Sequence, residues 1–145
     1  MKISSRGRYG LRMMVEIARH NPGDWVSIKD ISIHQGVSVK YLEQIVTGLT
    51  KSGLLLSYRG SQGGYTLAKS PEQYTAGEIL RAIEGNLAPV ACLDQNPIQC
   101  KRSSDCATLP LWKGLSRVIN DYLDSITLQD ILDQQKEKHS DNHVI

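Results

Sequence analysis

Cys92, Cys100 and Cys106 are the chain's only cysteines, and they fall within one 15-residue stretch bracketed by Pro89 and Pro110. An odd number of thiols cannot all pair within one chain, and in a reducing compartment thiols so confined favour metal or redox chemistry over a disulfide scaffold. The stretch is rich in Pro, Asn, Gln, Ser and Asp, which argues for a flexible tether able to converge three thiolates. Intervals of eight and six residues differ from the paired CxxC knuckle of common zinc modules, and three thiolates leave a fourth coordination position to be filled from elsewhere. Lys101 and Arg102, between the second and third cysteines, would offset anionic charge. On the residues alone, three unliganded loop thiols remain the alternative.

A second set of residues carries a different chemistry. Leu42, Ile45, Val46 and Leu49 follow helical spacing, so Lys40, Glu43, Gln44, Thr47 and Lys51 take the opposite, water-facing side. Gln pairs bidentately with adenine, Glu accepts from cytosine N4, and Lys reaches guanine or a phosphate, so this face has the means to read a duplex. An ordinary solvated surface is the alternative. Tyr41 lies beside the same helix start. Arg59 and Gly60 open a glycine-rich turn with Gly63 and Gly64, where little side-chain bulk permits close approach and Arg suits a narrow minor groove. No GxxxxGK[ST] is present, so nucleotide binding is disfavoured.

The elements that must position these groups follow from periodicity. Leu11, Met14, Val15 and Ala18 predict an amphipathic helix over residues 5–20, ended by Asn21, Pro22 and Gly23. Ser27 with Asp30 resembles a capping box for a short helix that closes at Gln35 and Gly36, and Ser38 caps the third helix, which stops near Ser52 and Gly53. Residues 54–58 and 65–67 read as strands around the glycine turn. The expected fold is mainly α, a winged helix-turn-helix with a two-stranded wing plus a long C-terminal dimerisation helix. Thr75 with Glu78 opens a further helix that ends at Gly85. Beyond Pro110, the apolar residues Leu111, Leu115, Val118, Ile119, Tyr122, Leu123 and Ile126 form a stripe too long for a chain of this size to bury alone, which predicts a homodimer seam. Thr127 and Asp130 cap a last short helix. Residues 136–145 are expected to be a flexible polar tail, with His139 and His143 belonging to it.

Charge divides along the same line. Residues 1–70 carry ten Lys or Arg against four acids, a net of +6, whereas residues 71–145 carry seven against eleven, a net of −4. The division predicts a DNA-binding domain over 1–70, a dimerisation and cysteine-loop sensor region over 71–135 and the tail over 136–145. A basic half beside an acidic one fits double-stranded DNA as partner. No stretch approaches the apolar length that spans a bilayer and no apolar run follows the N-terminal basic residues, so a cytoplasmic protein without a membrane role is expected. No nucleophile stands with its base and orienting group in a recognisable motif, so the chain does not read as an enzyme.

The opening residues from Met1 to Gly10, the run Tyr41, Leu42, Glu43 and Gln44, and Arg59-Gly60 followed by Gly63-Gly64-Tyr65 together resemble the Rrf2 family of bacterial transcription regulators, in order from residue 1 to about 133. The resemblance implies a homodimeric winged-helix repressor or activator, with the helix carrying Lys40, Glu43 and Gln44 in the major groove and Arg59 at the minor groove; Tyr41, Thr47 and Gly60 beside them complete the expected DNA-binding set. It further implies an iron-sulfur cluster, two-iron or four-iron, on Cys92, Cys100 and Cys106, since the IscR-like and NsrR-like branches carry three cysteines in this segment and CymR-like members lack them. The family's fourth ligands differ here. The IscR-like histidine position is Leu109, and the NsrR-like acidic position is Arg8. Candidates that remain are His34 of the partner subunit, ranked first, then Asp94, Asp105, an exogenous thiol or water. Two rival readings stand beside this one: a cluster-free regulator of cysteine or sulfur metabolism acting by thiol oxidation or a partner enzyme, and a zinc-stabilised interaction module.

Overall fold

Serine hydroxyls open the first three helices. Ser4, Ser27 and Ser38 hold extended backbone and accept the amide hydrogens of Gly7, Asp30 and Tyr41 at 3.2, 3.1 and 3.1 Å, which satisfies an N–H that the helix itself leaves unpaired. These caps start α1 (Ser5–Ala18), α2 (Ile28–Gln35) and α3 (Val39–Lys51). Gly36, at φ +66°, closes α2 in the left-handed conformation that glycine tolerates, and the chain turns directly into α3. The computed structural model describes residues 2–141.

The wing is an antiparallel hairpin of β1 (Leu55–Tyr58) and β2 (Gly64–Leu67), with Leu55 opposite Leu67 and Tyr58 opposite Gly64. Val26 adds one bridge on the far side of β2, exchanging backbone bonds of 2.9 and 2.8 Å with Tyr65. A Cβ at Gly64 would lie 2.3 Å from the Val26 carbonyl oxygen, so only glycine lets the third segment approach. The fold is therefore the expected winged helix-turn-helix. Three more helices follow, α4 (Ala76–Glu84), α5 (Leu109–Ser125) and α6 (Leu128–Asp141), with single 3-10 turns at Pro71–Gln73 and Ala91–Leu93.

Packing departs from the one-stripe pattern in α1. Met13 and Ile17 are buried with Met14 and Val15, whereas Leu11 and Ala18 are only partly covered. The reason is that α1 touches α2, α3, α4, β2 and α6, so more than one of its faces is inside. Leu42, Ile45, Val46 and Leu49 of α3, Leu54 and Leu55 of the wing, Tyr74, Ile79 of α4 and Leu128 and Leu132 of α6 complete the same core. Residues from both sides of position 70 share it.

Tyr74 ties the wing to that core. Its ring is fully buried, its hydroxyl donates to the Leu54 carbonyl at 2.7 Å, and the same oxygen accepts from the Ala68 and Lys69 amides at 2.9 and 3.2 Å. Tyr74→Phe keeps the ring but leaves the buried Leu54 carbonyl and the part-buried Ala68 and Lys69 amides without that partner. The expected loss is about 1–3 kcal/mol of unfolding free energy, read as a lower urea midpoint at unchanged slope; an unchanged midpoint would show that water replaces the hydroxyl.

The C-terminal region corrects the tail expectation. Helix α6 runs through residues 136–141 instead of ending near 135. Gln134, Gln135, Lys136, Glu137 and Lys138 are all good helix formers with no Gly or Pro among them, so nothing local stops the helix. Its inner side is also held, since the Arg19 guanidinium donates to the Gln135 side chain. His139 is thus on a helix, and His143 lies outside the described residues. No helix of the described residues is long and apolar enough to cross a membrane.

Candidate nucleic-acid interface and cysteine segment

Burial of Leu42, Ile45, Val46 and Leu49 at 4% exposure or less fixes the rotation of α3 about its axis. Lys40, Glu43, Gln44, Thr47 and Lys51 are consequently exposed together. Thr47 returns its hydroxyl to the Glu43 carbonyl at 2.8 Å. Tyr41 behaves differently from its neighbours. Half-buried, it lies edge-to-face on Tyr9 at 6.0 Å and donates its hydroxyl to Ser5 Oγ at 3.1 Å, so the start of α3 is fastened to the start of α1.

The wing flanks this face. Arg59 and Gly60 are exposed at the end of β1, with Gly60 at φ +136°, and the tight turn closes through a 3.1 Å bond from the Gly63 amide to the Gly60 carbonyl. Between wing and α3 runs an open cleft of about 610 Å³, lined by Ser27, Lys29, Thr47, Thr50 and Arg59 among others. Lys29 was not foreseen as part of it, because the start of α2 and the wing meet only in the folded chain. Among the described residues the ion pairs are Glu16 with His34, Lys69 with Glu78 and Arg81 with Asp124. None of them involves Lys29, Lys40, Lys51 or Arg59, so among the described residues no carboxylate is paired with these cations. Exposed cations beside exposed Gln and Glu offer the two kinds of group that a duplex reader needs, charges for phosphates and amide or carboxylate groups for base edges.

The cysteine segment hangs between α4 and α5. Cys92 and Cys100 are exposed and line one concavity of about 360 Å³ together with Asp94 and Gln99. Cys106 sits apart and half-buried. Its Sγ lies 3.4 Å from the Thr108 hydroxyl, and that hydrogen bond, then the Thr108 and Leu109 amides and the Arg102 charge, hold its thiol below the usual range against the opposing effect of burial. Lys101 and Arg102 are exposed, as are Asp94 and Asp105. Among the described residues no three Cys, His, Asp or Glu side chains are gathered into a metal-holding group. Cys92 and Cys100 thus share one concavity, and Cys106, at the foot of α5, is not among its lining residues.

His34 has a partner that sequence reasoning missed. Its Nδ1 meets Oε1 of Glu16, whose other oxygen accepts from the Gln35 amide at 2.9 Å. The Glu16 side chain is only 5% exposed while that of His34 is 60% exposed. An acid set between Val15 and Ile17 in an apolar run was the available signal, since a buried carboxylate requires donors. With Nδ1 held inward, the Nε2 of His34 is directed away from Glu16. Leu109 is buried and Arg8 is exposed, and neither an aliphatic side chain nor a guanidinium has a lone pair to give to iron.

Known proteins share this fold over nearly the whole chain. A family profile described as Rrf2, an iron-dependent transcriptional regulator, matches residues 3–134. The protein rrf2 of Nitratidesulfovibrio vulgaris is 41% identical over 91% of this chain and 87% of its own length. Among solved structures, the global cysteine regulator CymR of B. subtilis has 39% identity and a TM-score of 0.74, covering 92% of this chain and 98% of that one. T. potens IscR has 37% identity and a TM-score of 0.76, with 95% and 90% covered.

Proposed function

Because the chain belongs to the Rrf2 family of DNA-binding transcriptional regulators, we propose that it acts as a cytoplasmic homodimer whose hold on an operator is set by an iron-sulfur cluster at Cys92, Cys100 and Cys106. Residues 1–70 contribute the reading surface, with Lys40, Glu43, Gln44 and Thr47 in the major groove and Arg59 and Gly60 at the minor groove. Tyr41 serves that surface from behind by holding the helix start. Residues 71–135 contribute the dimer helix and the cysteine segment. The single observation that carries the cluster reading is the confinement of every thiol to one exposed segment joined at its two ends to α4 and α5.

The donor set fits such a group. Thiolates are its ordinary ligands, Cys106 is already biased toward the thiolate, and Lys101 and Arg102 offset the charge of the assembled site. Cys92 and Cys100 share a concavity, so the segment has to draw in one further thiol. For the fourth position, His34 of the partner subunit is the candidate that the geometry supports best, because a carboxylate on the inner ring nitrogen is the usual means of aiming the outer one at a metal. When bound, the cluster supplies sensitivity to iron, oxidant or nitric oxide. The chain's own residues supply the dimer and the DNA contacts.

The test is anaerobic purification followed by iron and acid-labile sulfide assay and visible spectroscopy. Wild type is expected to be coloured, with iron and sulfide bound, while Cys92→Ala, Cys100→Ala and Cys106→Ala are expected to lose both; His34→Ala should weaken retention by about 10- to 100-fold if it is a ligand or its equal. Colourless protein without iron would refute the cluster. It would favour the cluster-free reading, in which the activated Cys106 thiol responds to oxidants, a reading supported by the similarity to a cysteine regulator. Stoichiometric zinc without colour would favour the interaction module instead.

A further inference from the structure

Helix α4 has three charged residues at three-residue intervals, and each is tied to a different part of the molecule. Glu78 accepts from Lys69 Nζ at 2.9 Å, just past the wing. Arg81 donates to Asn120 and to Asp124 of α5, each at 2.8 Å. Glu84 crosses to the beginning of the chain, where its Oε1 accepts from the Ser4 amide at 3.0 Å and from the Ser4 hydroxyl. Glycines make the approaches possible. A Cβ would lie 2.2 Å from Glu84 Oε1 at Gly7, 2.2 Å from Ile83 Cδ1 at Gly10, 3.4 Å from the Ala82 carbonyl at Gly48 and 2.2 Å from Asp124 Oδ1 at Gly77. Helix α4 is thereby seated against α1, against α3 and against α5 at once.

Glu84 is the unusual member. It occupies the last turn of its own helix, where the helix dipole disfavours an anion. The first turn of α1, in contrast, holds no acidic residue, although the positive dipole end and the amides that a helix start leaves to outside partners favour one there. Glu84 fills that vacancy from 80 residues away. The fastened turn then holds Tyr41 through Ser5, so a continuous line of bonds runs from the end of α4 to the start of α3. Immediately after Glu84 the chain turns at Gly85, φ +92°, buries Leu87 and enters the segment that carries Cys92.

We propose that Glu84 is a positioning residue that relays the state of the cysteine segment to the reading helix, by fixing or releasing the first turn of α1 against which Tyr41 docks. This relay rests on the reading that the cysteine segment controls DNA affinity. The segment follows the turn at Gly85 directly in the chain, and the residue before that turn, Glu84, is the one bonded to Ser4 in the DNA-binding half.

The experiment measures the dissociation constant for an operator selected in vitro, before and after the three cysteines are modified with N-ethylmaleimide, in wild type, Glu84→Ala, Glu84→Gln and Gly7→Ala. Gly7→Ala displaces the carboxylate from the other side and keeps Glu84 itself, so it serves if Glu84→Ala folds poorly. Wild type is expected to shift by about 10-fold. Glu84→Ala and Gly7→Ala should shift by less than about twofold, with faster amide exchange at residues 5–8, and Glu84→Gln, which keeps an acceptor oxygen, should fall between. A residue that merely supports the fold would lower the affinity of both forms and leave their ratio intact, and that result overturns the relay while the control reading stands. If wild type itself does not shift, control by the cysteine segment fails, and the relay fails with it.

Discussion

Gln44→Ala lowers affinity for a selected operator by about 10- to 100-fold while affinity for unrelated duplex changes by less than about threefold, the difference expected when a base-edge contact worth roughly 1–3 kcal/mol is removed. The side chain is exposed at the middle of the α3 face, and the buried residues on either side of it fix the direction in which it projects. Arg59→Ala should cost a similar factor at positions where the operator's minor groove is narrow, because the loss there is of charge placed in a negative groove rather than of a base-specific pair. Lys40→Ala gives a contrasting signature. It should weaken all duplexes alike and reduce the slope of log affinity against log salt by about one, as for a phosphate contact. Fluorescence anisotropy over a salt series separates the three. Equal losses for operator and random DNA at Gln44→Ala would place the reading surface elsewhere.

Val118→Asp is expected to convert the dimer to monomer and to reduce operator affinity by at least about 100-fold, since a tethered second half-site multiplies affinity by factors of that size. Leu111, Leu115, Val118 and Tyr122 are 62, 41, 66 and 64% exposed in the single chain, on one side of α5. Four large apolar side chains left in water on one helix mark a surface made to be covered, and a carboxylate placed among them would have to be buried without a partner. Sedimentation velocity reads the mass directly. The monomer should remain folded, because little of the Val118 side chain is packed within its own chain. A variant that stays dimeric and binds normally would exclude this stripe as the seam.

What could be read in the sequence was what local periodicity encodes. The stripe from Leu42 to Leu49 repeats at helical spacing within one element, so it gives both the helix and its outer face, and Ser27, Ser38 and Thr75 mark their helix starts through side-chain bonds only three residues long. The glycine turn after Arg59 was similarly plain, because a tight hairpin needs particular backbone freedom at fixed places. Contacts between distant residues left weaker traces. The Glu84 cap on α1 spans 80 residues and the Glu16 bond to His34 spans 18, and each showed only as an acid in an awkward place, at a helix end that disfavours it or within an apolar run. The extent of α6 was misread for another reason. Polar composition suggested a frayed tail, yet polarity and helix propensity are separate properties, and residues 134–138 are rich in the second as well as the first. Spacing also says nothing of how a loop is arranged, and only Cys92 and Cys100 of the three line the concavity there.

Leu128 and Leu132 bring α6 back onto α1 and α2, lying in the same interior as Met13, Ile17 and Ile31. The first 70 residues are therefore no detachable cassette. Anyone transplanting this operator specificity onto a different sensor would have to carry the closing helix along with it, or supply other oil-like side chains to plug the hollow that its removal would open.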